Sequence, residues 1–558
     1  IGNTGYTYIL KEDGTVSSLG YNVNGELGNG AKASTTAVQK VSNLTEIMQV
    51  AGSKDGNFGA AVKEDGTVWT WGANTNGQLG NGTTDSPKLN AIQVGSSGSN
   101  AMRITHGSVT NQDTGIQRVE FNNELITNVL IAENEEFHIF EDGISLNQSF
   151  SLLPDSQEVK AGSVEYTSFN PNIATVGKYT GIVTPVKGIY GTAIIIAKSD
   201  GYSSIIRVSI KPQDTDDVKS VAKPMVATGA SHTIALKYDG TVWTWGNNTN
   251  GQLGNNSTEN SSNPVQVKSA DGNGYLTNII EISAGSDHNM ALSKDGTVFT
   301  WGSNAYGQLG NGSSVNSMLP VQVKSADGNS FLADIVQISA GYVHSMALKK
   351  DGTVLAWGRN DGGQLGNNNT SNKSLPVQVK GGASGSEYLT DVVQVTAGNW
   401  HSMALKANGT VYAWGWGQYG QLGNGYTTNS DDSDRYSYEK IYSAPVQVLN
   451  GAQTSETGYL KEVVQIDAMG GTGRSESNRF GTSLAVTESK EVYGWGNSLY
   501  GALGVKSSIV SKPVRVGTDI SNAVQVAGGG KSGSDDWHVN NIGNTGYTYI
   551  LKEDGTVS

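Results

Sequence analysis

Short apolar runs alternate with polar positions along most of the chain and are broken at regular intervals by Gly, Asn and Asp. The stretch His232-Thr233-Ile234-Ala235-Leu236 is followed by Lys237-Tyr238-Asp239-Gly240 and then by Val242-Trp243-Thr244-Trp245-Gly246. Two runs rich in β-formers around an Asp-Gly pair predict a β-hairpin. A two-residue type I′ turn at Asp239-Gly240 would place Leu236 opposite Trp243, Ile234 opposite Trp245 and His232 opposite Asn247. That register puts these bulky side chains on one face and Thr233, Ala235, Thr244 and Gly246 on the other. Asp13-Gly14, Asp65-Gly66, Asp295-Gly296, Asp351-Gly352 and Asn408-Gly409 predict equivalent turns, and Ser489-Lys490 departs from them.

The hairpin repeats. Its closing Gly recurs at Gly20, Gly72, Gly246, Gly302, Gly358, Gly415 and Gly496, seven copies of a unit of about 56 residues. A period of that size marks supersecondary units that bury their faces only against neighbours. Seven such sheets arranged radially cover one another and leave no exposed edge. The expected fold is all-β, a seven-bladed propeller. Composition agrees: 74 of 558 residues are Gly, Cys is absent, and the formal net charge of −13 argues against nucleic acid as a partner. No run of 18 apolar residues exists, so no helix crossing a membrane is expected. The chain opens at Ile1 rather than Met, which reads as a processed or excerpted piece.

The pattern Ala-Gly-x-x-His-x-x-Ala-Leu-Lys-x-Asp-Gly-Thr-Val-x-x-Trp-Gly, followed by Gly-Gln-Leu-Gly, resembles the regulator of chromosome condensation repeat family. Residues 283–310 and 339–366 match it nearly throughout, and the resemblance covers about 1–95 and 223–558. It implies a seven-bladed propeller. Some members promote guanine nucleotide exchange on a small GTPase, and a bacterial relative inhibits β-lactamases, so the resemblance leaves function open.

The repeat pattern stops between Val94 and Lys223. Residues 164–176, then Gly181-Ile182-Val183 and Gly191-Thr192-Ala193-Ile194-Ile195-Ile196, predict an inserted β-sandwich. These residues resemble bacterial immunoglobulin-like domains of the invasin and intimin kind, with Tyr166 where that family usually has Trp. The resemblance implies a stalk or spacer unit in an extracellular bacterial setting. The expected organisation is 1–95 as the first propeller blades, 96–222 as the inserted domain, 223–541 as the remaining blades with ring closure, and 542–558 as a further element.

Residues 542–558 reproduce residues 1–17 letter for letter. The run from Ala523 to Gly528 supplies the strand expected before the first hairpin, so the second copy is surplus to closure. Either it begins the next unit of a tandem array, or its hairpin, with Tyr547, Tyr549, Leu551 and Val557, docks into a neighbouring chain by strand addition.

Candidate chemistry is sparse. His232, His288, His344 and His401 share one repeat position, read as packing and hydrogen bonding rather than metal ligation. The Gly-rich loops lack the Lys and Ser/Thr of a phosphate loop. No nucleophile–His–acid set or paired carboxylates stand out, so no enzyme, cofactor or metal is expected. Asp431, Asp432 and Asp434 lack the Ca²⁺-loop pattern and read as a solvated loop. The candidate binding residues are aromatic: Trp400 and Trp416, placed together by hairpin register with Trp416 opposite His401, and Tyr419, Tyr426, Tyr436, Tyr438 and Tyr442 around the long loop that follows. Tyr among small polar residues is the composition of adaptable binding loops. Two readings stand here, a glycan- or protein-binding patch and aromatic packing that pins the loop. The expected function is a non-enzymatic extracellular surface or fibre protein, self-associating or binding a surface protein or glycan. The alternatives are a secreted enzyme inhibitor and, after it, a nucleotide exchange factor.

Overall fold

The structure is a computed structural model that describes residues 4–531, apart from 12–13, 54–55, 64–65, 96–127, 133–136, 139–163, 172, 187–190, 200–201, 212–221, 223, 383–386, 428–440, 452–457, 471–480, 499–502, 506, 508 and 517–522. Seven four-stranded antiparallel sheets form the repeat region. From inner to outer strand, blade 3 runs Met225–Thr228, His232–Leu236, Val242–Gly246 and Ser261–Gln266. Blades 4, 5, 6 and 7 repeat this order from Ile279–Ala284, Ile335–Ala340, Val392–Ala397 and Val463–Gly470, and blade 2 from Ile47–Gly52. Blade 1 joins the two ends of the chain. Thr4–Lys11, Val16–Gly20 and Thr35–Lys40 provide three strands, and Ala523–Lys531 pairs antiparallel with Thr4–Lys11 as the inner one. The inner strands of blades 1 to 7 touch in an unbroken cycle, which closes the ring. No helix occurs among the described residues, and none is long and apolar enough to cross a membrane.

The hairpin register differs from expectation by one residue. Leu236 pairs with Val242, Ala235 with Trp243, Ile234 with Thr244, Thr233 with Trp245 and His232 with Gly246. The turn explains the shift. Gly240 has φ +75° while Asp239 is not left-handed. Gly240 N–H donates to Lys237 O (3.0 Å) and Lys237 N–H to Thr241 O (2.9 Å), a three-residue loop made of a type I turn and a Gly bulge. In blade 7 Lys490, φ 61°, fills the same role. Each face therefore carries one bulky strand and one small one. Trp243 and Trp245 share a face with Ala235 and Thr233, whereas Ile234 and Leu236 lie with Val242 and Thr244. Ile234 and Leu236 pack against Ala291 and Trp301 of blade 4, and Trp245 and Ala235 against Ala60 and Val62 of blade 2.

The segment between blades 2 and 3 forms two further sheets. Glu165–Ser168, Gly191–Ser199, Tyr202–Lys211 and Asn128–Ala132 make one, in that order, with the last pair parallel. Ala174–Val176, Ile182–Pro185 and Phe137–His138 make the other. This inserted β domain is not a free spacer: Phe169, Ile194, Ile196 and Ile205 share a hydrophobic cluster with Val464 and Ile466 of blade 7 and Val393 of blade 6.

Candidate functional site

The ring has two ends. Asp-Gly-type turns mark one, and the Gly-Gln-Leu-Gly loops mark the other, here called the loop face. Interblade joints are built at the loop face from one buried pattern. In five joints the Gln carbonyl of one blade accepts the indole N–H of the next blade: Trp245 on Gln78 (3.0 Å), Trp301 on Gln252 (3.1 Å), Trp357 on Gln308 (2.9 Å), Trp414 on Gln364 (3.0 Å) and Trp495 on Gln421 (3.1 Å), while Trp71 donates to Glu26 O (2.8 Å). The four repeat histidines complete this joint. Nε2 of His232, His288, His344 and His401 meets Asn289, Ser345, Ser402 and Ser483 of the following blade at 2.9–3.0 Å. Those partners donate in turn to the same Gln carbonyls. Asn289 Nδ2 donates to Gln252 O, so its Oδ1 faces His232, and Nε2 must carry the proton. Burial pushes the His232 imidazole below its ordinary value, with the Asn289 hydrogen bond and Asp287 opposing. The histidines sit one per blade joint, and no group of three or more His, Asp or Glu able to hold a metal occurs among the described residues. Asp431, Asp432 and Asp434 lie outside those residues.

A buried Asn sews the long loop of blades 1 to 5 and was not singled out in the sequence. Asn304 Nδ2 reaches Asn311 Oδ1 (3.4 Å), Ser313 O (3.1 Å) and Val315 O (3.0 Å), while its Oδ1 accepts from Leu309 N–H (2.9 Å). Asn22, Asn74, Asn248 and Asn360 do the same. Blade 6 has Gly417 at this position. There Gly415 pairs with Tyr442, whereas Gly358 of blade 5 pairs with Lys373, a loop twelve residues longer. Blade 7 has Ser498 there, and its loop is not lengthened, since Gly496 pairs with Val510.

Trp400 and Trp416 stand at the base of that loop. Trp416 N–H donates to Trp400 O (2.8 Å), so the two are neighbours as expected. The expected pairing is corrected by the same one-residue shift: His401 faces Gly415, and Trp416 faces Ile441. Trp400 is buried, and Trp416 and Tyr419 are half-buried. Tyr426 is 64% exposed. Tyr442 packs into the core of blades 6 and 7, and burial raises its phenol above the ordinary value. Tyr436, Tyr438, Tyr547, Tyr549, Leu551 and Val557 lie outside the described residues.

The structure adds a cation to this aromatic group. The Arg359 guanidinium, from the loop face of blade 5, lies 4.6 Å from the Tyr306 ring centroid and 4.4 Å from that of Trp400. Its edge is held by Asp361, with Nε–Oδ1 at 2.8 Å and Nη2–Oδ2 at 2.7 Å. Tyr342 packs on Trp400 at 6.2 Å between centroids. Blades 4, 5 and 6 thus contribute to one patch of aromatic, guanidinium and carboxylate groups, with the cation over two rings. Arg359 fills the position after the closing Gly, where the other copies carry Tyr21, Ala73, Asn247, Ser303, Trp416 and Asn497. Being the one cation in that column was the signal available in the sequence. A second set of exposed rings, Tyr275, Phe331, Tyr388 and Tyr459, recurs once in each of blades 3 to 6 near the turn end. The Arg359 patch occurs once among the described residues.

Comparisons with known proteins agree on the architecture. Human WBSCR16 superposes with a TM-score of 0.53 at 16% identity, covering 94% of this chain and 97% of that one. Yeast RCC1 (Prp20), solved bound to Kap60, gives 0.52 at 16% identity, covering 96% and 90%. These likenesses concern the fold alone. The ultraviolet-B receptor UVR8 of Arabidopsis thaliana is 29% identical over 336 residues, 55% of this chain and 72% of that protein. The E3 ubiquitin-protein ligase HERC2 of Homo sapiens is 30% identical over 296 residues, 52% of this chain but only 5% of HERC2. A model of the regulator of chromosome condensation (RCC1) repeat matches residues 65–106, and a model of the RCC1-like domain matches residues 201–533. Matched over more than half of its length, the chain belongs to the RCC1-like domain family.

Proposed function

We propose that this protein is a non-enzymatic protein-interaction module whose contact surface is the loop face of blades 4 to 6. The observation that carries this is Arg359 over the rings of Tyr306 and Trp400, with Trp416 and Tyr419 beside it. Aromatic residues and Arg are the side chains that anchor protein interfaces. The ring's repeated chemistry is consumed by its own joints, whereas this patch breaks the repeat. Yeast RCC1 (Prp20), of the same fold, was solved bound to Kap60 and described for its binding to Gsp1p and histones. Cross-linking of the intact chain to proteins of its source, compared with the pair variant Trp416→Ala/Tyr419→Ala, tests the site. One protein cross-linked to the intact chain and lost from the pair variant, with melting temperature unchanged, is expected. Equal capture by both places the contact elsewhere, and retention of a defined glycan instead would make the ligand a sugar.

A second reading is favoured by the pairing of Ala523–Lys531 with Thr4–Lys11, because residues 545–552 have the sequence of that partner strand. In this reading the surplus copy adds to a neighbouring chain, and head-to-tail contacts that do not close extend into a filament. The invasin-like assignment of the inserted domain and an extracellular bacterial surface or secreted setting belong to this reading, and the parallel pairing of Asn128–Ala132 with Tyr202–Lys211 is compatible with them. Removing 542–558 should abolish any concentration-dependent rise in mass measured by light scattering. A full chain that stays monomeric at high concentration ends this reading.

A further inference from the structure

The inserted domain leaves the ring between blades 2 and 3 yet lies on blades 6 and 7. Its strand Gly191–Ser199 is buried on both sides: Ala193, Ile195 and Ala197 on one, Ile194 and Ile196 on the other. Register places Arg207 opposite Ile194 and Ile205 opposite Ile196, so these four side chains share one face. The three apolar members join the cluster of blades 6 and 7. Arg207 Nη2 donates to Gln394 Oε1 (2.5 Å) and to Val464 O (2.9 Å), on the inner strands of those blades. Gln394 is itself an interblade tie, donating to Ile466 O (2.9 Å) and accepting from Ile466 N–H (3.1 Å). Arg207 is therefore built into the joint between blades 6 and 7. Burial pushes it down to about 10, with Glu281 of blade 4 opposing. At the edge of the contact Lys198 pairs with Glu488, and Lys490 sits 5.4 Å over Phe169.

Blade 1, closed only by the pairing of the two chain ends, lies between blade 7 and blade 2. We propose that the inserted domain is a clasp across this seam: tethered next to blade 2 and gripping the inner strands of blades 6 and 7 through Arg207 and its apolar face, it links the two flanks of blade 1 and holds the ring closed. The consequence is that seam opening and domain undocking are coupled. This is independent of what the loop face binds.

Hydrogen exchange of the full chain, read by mass spectrometry, tests the coupling. Two variants are compared with the unaltered protein: Arg207→Met, and the edge pair Lys198→Ser/Lys490→Gly, whose side chains lie outside the core. Both are expected to speed exchange in 4–11 and 523–531 about tenfold, equivalent to about 1.4 kcal/mol of opening free energy. Blades 4 and 5 and the inserted strands 191–211 should keep their protection. Faster exchange confined to 392–397 and 463–470, with the seam unchanged, overturns the clasp. If Arg207→Met strips protection from 191–211, the edge pair decides by the same criterion.

Discussion

Acidification should loosen the joint between blades 3 and 4 through His232. This imidazole is fully buried, its Nε2–H is committed to Asn289 Oδ1 at 2.9 Å, and burial holds its pKa below the ordinary 6.5. A depressed folded-state value means that the unfolded chain takes up the proton first as pH falls. The stabilisation is therefore complete above pH 6.5 and is lost progressively below it, down to the folded-state value. One group contributes at most about 1.36 kcal/mol per pH unit in that window. The control is His232→Phe, because Phe58 fills the same repeat position in blade 2 and is fully buried there. At neutral pH the variant should lose about 1 kcal/mol for the missing hydrogen bond. Between about pH 6.5 and 5 its urea midpoint should then fall more slowly than that of the unaltered protein. Asp295 and Asp351, whose pKa values lie below their ordinary 3.8, act at lower pH and do not blur the comparison. Parallel stability curves for the two proteins over this window would refute the assignment of a neutral, proton-resisting histidine to this joint.

Three further outcomes are expected. Ser402→Ala removes the hydroxyl linking His344 (3.0 Å) to Gln364 O (2.9 Å) and should cost about 1–3 kcal/mol in urea unfolding, since both bonds are buried. Gly310→Ala should cost about 2–4 kcal/mol, because φ is +65° and a Cβ would stand 2.7 Å from Trp357 Nε1. Gly458→Ala, with nothing within 4 Å, is the neutral control for it. Arg359→Ala should change stability by less than about 1 kcal/mol, as a partly exposed pair is worth little, while hydroxyl-radical footprinting of Tyr306 and Trp400 rises as their shared cover is lost.

Most of the ring was legible because its repeat is written in residue types with narrow physical uses. Each hairpin Asp-Gly placed a turn, each Trp directly before a closing Gly a buried anchor, and the spacing of the closing Gly counted seven blades. The register was not legible from the same letters. A two-residue type I′ turn and a type I turn with a Gly bulge both accept Asp-Gly, and they differ in whether Asp must be left-handed. Lys490 in blade 7 held the discriminating clue, because a two-residue loop of Ser489-Lys490 would need both at positive φ, and only Lys490 has it. The docking of the inserted domain was also half-written. Ala193-Ile194-Ile195-Ile196-Ala197 is a continuous apolar run, the mark of a strand covered on both faces, whereas a spacer exposed on one side would alternate.

The candidate site resisted the sequence for the opposite reason. In a repeat protein, residues that agree between copies maintain the joints, as the Trp indoles and Gln carbonyls do here. A position whose backbone is used identically in each blade, while its side chain varies, is free to carry what the ring itself does not need. The residue after the closing Gly is such a position: its N–H bonds the preceding loop carbonyl in blades 2 to 6, as Ala73 to Asn57, Asn247 to Ser231, Ser303 to Asp287, Arg359 to Val343 and Trp416 to Trp400. Arg359 and Trp416 are its two large side chains in adjacent blades, and Tyr306 and Trp400 reach them from neighbouring loops, contacts that no single repeat encodes. Blade 6 departs from the repeat further, since Gly417 stands where blades 1 to 5 have the sewing Asn. Function in this ring is therefore to be sought where copies disagree in side chain but not in backbone, and blades 5 and 6 are where that disagreement is largest and most aromatic.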